Sequence, residues 1–203
     1  MDQYKEKTDL RHNRIVINGR SYTVENLAEL HNDLKAVVGG DETDNVVYFY
    51  GSQCSLSNFY QAKFTVGGIM FSCVEQAYFY HKAVHYCDKS KSAQILAESR
   101  PHIHKKLGES FGKRDWDDPG KALSLMAYMF AEIFRQNPYL KAVLLSTGSR
   151  ELAEANPYDS YWGIGSSAGT AIYRKSLWPG NNTMGTTLVD VRNLLRDKIL
   201  KLE

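Results

Sequence analysis

The spacing of apolar residues changes period at Ser72, and this constrains the fold more than any other feature of the chain. Before it, Val46 to Tyr50 is a β-prone run, and Phe59 to Val66 and Ile69 to Ser72 read as two arms of a hairpin closed by Gly67-Gly68. After it, apolar residues recur at helical spacing from Cys73 to about Cys87. Ser72-Cys-Val-Glu75 matches a capping box, in which a hydroxyl and a carboxylate satisfy the free amides of a helix start. Further helices are predicted at 90–98, at 102–107, over Lys121–Gln136 behind Pro119, and over Thr186–Leu200. The last of these directs Leu188, Val189, Val191, Leu194, Leu195 and Ile199 inward. Leu140 to Leu145 reads as a helical turn running into a strand, and 149–154 as a short helix in a loop-rich stretch.

Toward the N-terminus, residues 1–13 read as a disordered leader, Arg14 to Arg20 as a short strand and turn, Val24 to Val37 as a helix, and Gly39 to Asp44 as a loop. Few strands and many helices, without regular alternation, define an α+β class. The expectation is a compact, mostly helical single domain with a small sheet over 46–203, preceded by an extension over 1–45.

Composition narrows the function classes. A chain of 203 residues holds one core without disulfide or metal staples. The net charge of +2 argues against a dedicated nucleic-acid surface, though not against a local basic patch that grips phosphates. The three cysteines, Cys54, Cys73 and Cys87, form neither a disulfide framework nor a CxxC pair. The start of the chain lacks the apolar core of a signal peptide, and no apolar run approaches the ~20 residues that span a bilayer. A cytoplasmic protein without a membrane partner is expected, with a nuclear location left open. Aromatic side chains make up 12% of the residues and cluster between Tyr48 and Tyr86. Most belong to a core, but a few could stack on a planar ligand.

Phosphate-loop, dinucleotide, nucleophile-elbow, zinc-protease and zinc-deaminase signatures are absent. His81 and His85 share a helix face, yet without a third ligand at clear spacing no metal site is expected. Three segments are more informative. Tyr50-Gly51 to Phe59 places Ser57 and Asn58 in a polar loop at a strand end, where binding groups often sit. Glu75 and Lys82, seven residues apart, point the same way on the predicted helix, amid aromatic neighbours. A desolvated amine becomes nucleophilic, while capping and a solvated helix face are the plain alternatives. Asp159, three residues before Trp162 with Gly163 and Gly165 following, reads either as a base or ribose-hydroxyl acceptor or as the residue that ties a tight loop.

In these segments the sequence resembles the NADAR superfamily, which includes the YbiA-like N-glycosidases. The matching pieces are Phe49-Tyr-Gly51, Leu56-Ser-Asn-Phe59, Phe71-Ser-Cys-Val-Glu75-Gln76, Lys82-Ala83, Leu107-Gly108, Trp116, Leu144 to Gly148, Leu152-Ala-Glu154-Ala, Asp159, Trp162-Gly-Ile-Gly165, Trp178, Gly180-Asn181 and Met184-Gly185. The resemblance implies an α+β fold with a cleft for ADP-ribose or a ribose phosphate, no cofactor, and cleavage of an N-glycosidic bond. Removal of ADP-ribose from modified guanine is the reading preferred, in free nucleosides or in ADP-ribosylated nucleic acid. Early riboflavin-pathway intermediates are the alternative substrates, and an ADP-ribose-binding module without turnover is the non-enzymatic one.

The resemblance also implies site residues. Glu75, Lys82 and Asp159 would be catalytic; Tyr50, Gly51, Ser57, Asn58, Trp116, Trp162 and Gly163 would bind substrate. Lys82 would form a transient Schiff base with the opened ribose, or water would attack directly with a carboxylate as base. The sequence departs from the family at Glu109, where an arginine is expected, and at Ile133, where a lysine is. Both changes remove a positive charge, so the phosphate grip is expected from Lys113, Arg114 or Lys63.

Overall fold

The structure, a computed structural model, describes residues 14–17, 20–23, 46–111, 119–171 and 178–200. The leader at 1–13, the helix expected at 24–37 and the loop at 39–44 lie outside the described residues, as does Trp116.

Three two-stranded ladders are seen among the described residues. β1 (Arg14–Ile17) and β2 (Arg20–Thr23) pair antiparallel. β3 (Val46–Phe49) pairs in parallel with β6 (Glu151–Glu154), joining Val46 to Glu151 and Phe49 to Glu154. β4 (Phe64–Val66) and β5 (Ile69–Phe71) form the hairpin across Gly67-Gly68. Both turn glycines have positive φ, 58° and 80°, which suits a tight hairpin turn. The helices are α1 (Val74–His85), α2 (Lys89–Ala97), α3 (Pro101–Glu109), α4 (Pro119–Gln136), α5 (Pro138–Ser146), a short α6 (Ala168–Ala171) and α7 (Thr183–Leu200). The fold is α+β, as the residue pattern predicts.

α4 supplies the inner layer of the core. Ala122, Met126, Met129, Phe130, Ile133 and Phe134 recur at helical spacing and are all buried. At its end Gln136 imitates a neighbouring strand: its side-chain oxygen accepts from Thr65 N at 2.8 Å and its amide donates to Thr65 O at 2.8 Å. α7 closes the core with Leu188, Val191 and Leu195, while Leu194, predicted inward, is 46% exposed.

Three local expectations are corrected. Residues 138–146 are helical throughout, with Pro138 in the first turn. Residues 151–154 form a strand rather than a helix. Leu-Ala-Glu-Ala is a good helical sequence, but β3 is buried along its whole length and its backbone groups need a partner. A parallel strand buried on both faces loses the polar–apolar alternation that would reveal it. The turn into β6 is held by arginines: Arg192 donates to Thr147 Oγ1 and Arg150 O, both at 2.8 Å, and Arg196 donates to Gly148 O at 2.6 Å. These cations sit at the carbonyl end of α5, where positive charge is favoured.

The third correction is the capping box. Cys73 occupies the N-cap of α1 and makes no side-chain cap bond. The reach-back is made by Gln76, whose oxygen accepts from Ser72 N at 2.7 Å and from Ser72 Oγ at 3.1 Å. Glu75 is thereby released from capping. All three cysteines are free. No helix among the described residues is long and apolar enough to cross a membrane.

Candidate active site

The parallel pairing of β3 with β6 brings two loops to the same end of one ladder: 50–59 after β3 and 155–163 after β6. They meet the first turns of α1 and one face of α3 around a cavity of about 330 Å³. Tyr50, Gly51, Ser57, Asn58, Glu75, Asp159 and Trp162 all line it, which gathers seven of the ten sequence-predicted residues in one place. Gly51, with φ 85°, turns the chain out of β3.

Glu75 is 3% exposed on the cavity wall. Asn58 grips it twice: its carbonyl accepts from Glu75 N at 2.9 Å, and its Nδ2 donates to Glu75 Oε2 at 2.6 Å. Ser57 in turn accepts Phe59 N through its hydroxyl, fixing the loop that carries Asn58. Burial pushes the Glu75 carboxyl up to about 8; nearby Lys105 and the Asn58 bond pull it down, and Glu154 and Glu109 push it up.

Asp159 uses both of its oxygens. Oδ1 accepts from Tyr161 N at 3.0 Å and Trp162 N at 2.8 Å, and Oδ2 lies 3.7 Å from Lys105 Nζ. The half-buried Trp162 ring meets Tyr78 edge-on at 6.1 Å. Gly163 does not line the cavity. It is the hinge of the loop's packing: a Cβ there would stand 2.8 Å from Asp159 O and 2.9 Å from Asn156 Cβ.

Lys82 also lies off the cavity wall. It is 7% exposed, with Nζ 5.9 Å from the centre of the Phe79 ring. Seven residues nearly complete two turns, but they also carry Lys82 ~10 Å along the helix axis from Glu75. Phe79, between them, is part of the cavity lining.

The residue pattern missed three charged groups of the cavity wall, Glu154, Lys105 and Lys106. Glu154, the last residue of β6, lines the cavity and is 8% exposed. Burial raises its carboxyl to about 7, with Asp159 adding to the rise and Lys105 opposing it. Lys105 of α3 lines the cavity too and stands 3.7 Å from Asp159 and 3.8 Å from Glu109. The helical spacing of His102, Lys105, Lys106 and Glu109 would have placed these four on one face of α3, and all four line the cavity.

The two departures from the family pattern separate here. Ile133 is 3% exposed in the core, away from the cavity, whereas Glu109 lines it. Lys63 is not part of the lining, and Lys113 and Arg114 lie outside the described residues.

A small α+β domain with buried carboxylates around one cleft is a common enzyme plan. The particular family is given by comparison: the NADAR domain matches residues 48–196, and the chain belongs to that family. Protein irg-1 of Caenorhabditis elegans is 31% identical over 196 residues, covering 82% of this chain and 92% of its own. N-glycosidase R617 of Acanthamoeba polyphaga mimivirus is 30% identical over 166 residues, covering 74% and 96%. N-glycosidase YbiA of Escherichia coli strain K12 is 25% identical, covering 75% and 89%. The NMR structure of E. coli YbiA shares the fold, with a TM-score of 0.64 at 22% identity over 80% of this chain and 92% of that one.

Proposed function

We propose that this protein is an N-glycosidase that hydrolyses the bond between ribose and nitrogen, releasing ADP-ribose from a modified guanine base or nucleoside. The observation that carries the reading is Glu75: a buried carboxyl on a cavity wall, freed from capping, gripped by Asn58 and holding its proton up to about 8. Departure of a neutral base from a sugar needs a proton on the leaving nitrogen, and a carboxylic acid that stays protonated at neutral pH supplies it. Relatives named N-glycosidase support the reaction type. On the wall formed by α3, Lys105 and Lys106 offer the positive charge that a diphosphate calls for.

The experiment is incubation of the purified chain with ADP-ribosyl-guanosine and, in parallel, with phosphoribosylamino riboflavin-pathway intermediates. Release of free ADP-ribose from the first is expected. Turnover confined to the second would move the substrate, and tight binding without release from either would make the cavity a binding module. The route through Lys82 has a separate readout. The burial of Lys82 beside Phe79 is the observation in its favour. A borohydride-trapped adduct on Lys82 would support a Schiff base, and an unmodified Lys82 during turnover supports direct attack by water.

A further inference from the structure

Two tyrosines that line the cavity are exposed, Tyr50 after β3 and Tyr158 after β6. Tyr158 stands at 90%, the most exposed large apolar side chain among the described residues. A ring left in water on a loose loop would say little, but the backbone at Tyr158 is tied on both sides. Its own amide donates to Asn156 Oδ1 at 2.9 Å, and Asp159, the next residue, accepts from Tyr161 N and Trp162 N. An exposed aromatic residue on a pinned backbone suits stacking, because little order is left to impose when a planar ligand arrives. Asp159 also locates it. Asp159 Oδ2 lies 3.7 Å from Lys105 Nζ, so Tyr158 adjoins the wall where Lys105 and Lys106 stand. The cavity, about 330 Å³, is at the small end for ligand pockets, which run from ~300 to ~1,000 Å³. Ribose and diphosphate fill such a space, and the adenosine end of ADP-ribose has to leave it.

We propose that Tyr158 is the outer platform on which the adenine of ADP-ribose stacks, and that it sets a preference for ADP-ribosyl over phosphoribosyl substrates. This rests on the N-glycosidase reading above. With the anomeric carbon at Glu75, the diphosphate runs along Lys105 and Lys106 of α3, and the adenosine emerges beside the residue that precedes Asp159. A ribose 5-phosphate unit ends at the lysines and does not reach Tyr158. The bond to be cleaved is the same in both substrate classes, so the inner wall cannot separate them; the rim can. Stacking recognises the flat face of any base, so the platform selects for a second nucleoside beyond the diphosphate rather than for the hydrogen-bonding edge of adenine.

The test titrates wild type, Tyr158→Phe and Tyr158→Ala with ADP-ribose and with ribose 5-phosphate by calorimetry. Wild type should bind ADP-ribose the more tightly. Tyr158→Ala should lose about tenfold or more in affinity for ADP-ribose and keep its affinity for ribose 5-phosphate. Tyr158→Phe, which retains the ring, should bind ADP-ribose as wild type does. A merely structural role would weaken both ligands together in Tyr158→Ala, and that result would overturn the proposal. So would undiminished ADP-ribose binding in Tyr158→Ala, or equal affinity of wild type for the two ligands. The side chain is almost fully exposed, so the variants should melt with wild type. Tyr158→Gln, of similar reach but without a ring, repeats the comparison should Tyr158→Ala not fold, with the same losses expected. A wild-type protein that binds neither ligand overturns the earlier reading and this one with it, a result distinct from the others.

Discussion

Glu75 and Gln76 are neighbours on α1, both 3% exposed, and the chain treats them in opposite ways. The Gln76 side chain is used up by the fold. Its amide donates to the carbonyls of Ile95, Leu96 and Glu98, and its oxygen takes both donors of Ser72. It ties the start of α1 to the end of α2. His104 extends the same knot, with Nε2 donating to Glu98 O at 2.9 Å. Glu75 faces the other way, into the cavity, and takes one side-chain donor, from Asn58. A buried polar side chain whose every bond is met inside the protein stabilises the fold. One left with spare capacity beside open space can still take a donor from a molecule in the cavity.

The largest effect expected from breaking this contrast is on catalysis. Glu75→Gln preserves shape and removes the proposed acid, and should lower kcat by about 10²- to 10⁴-fold in an assay of the proposed ADP-ribose release while the protein stays folded. Gln76→Ala should do the reverse. Several buried carbonyls and amides lose their partner, so stability should fall by roughly 3 kcal/mol in urea unfolding, with kcat of the remaining folded protein little changed.

A third effect is on stability against pH. Glu75 and Glu154 have folded pKa values of about 8 and about 7, above the ordinary 4.5. The stability they contribute is fully present below pH 4.5 and is lost as pH rises through 7 and 8. Wild type should therefore melt lower at pH 8.5 than at pH 5.5, and Glu75→Gln should flatten the slope. The smallest effect is expected at Lys105, whose ion pairs are long and partly exposed. Lys105→Met should change stability by less than ~1 kcal/mol. The same change should move the pH–rate limbs upward, because Lys105 lowers both carboxyls.

Much of the fold is legible in the residue pattern because it rests on local signals. The Gly67-Gly68 hairpin, α1, and α4 behind Pro119 each announce themselves within a few residues. β6 does not, because Leu152-Ala-Glu154 is strand only through its pairing with β3. That one error also hid Glu154, whose place on the cavity follows from the strand. The link between Asn58 and Glu75 crosses 17 positions, so no local rule could separate it from a capping box. The seven-residue interval from Glu75 to Lys82 gives direction around the helix correctly, but axial distance puts Phe79, not Lys82, on the cavity wall.

The β3–β6 ladder joins segments about 100 residues apart, and the loops that carry Asn58 and Asp159 grow from it. Closing so long a stretch of chain is slow compared with forming helices. During refolding the helical circular dichroism signal should recover before enzymatic activity does, and a nascent chain would acquire its catalytic centre only once β6 has left the ribosome.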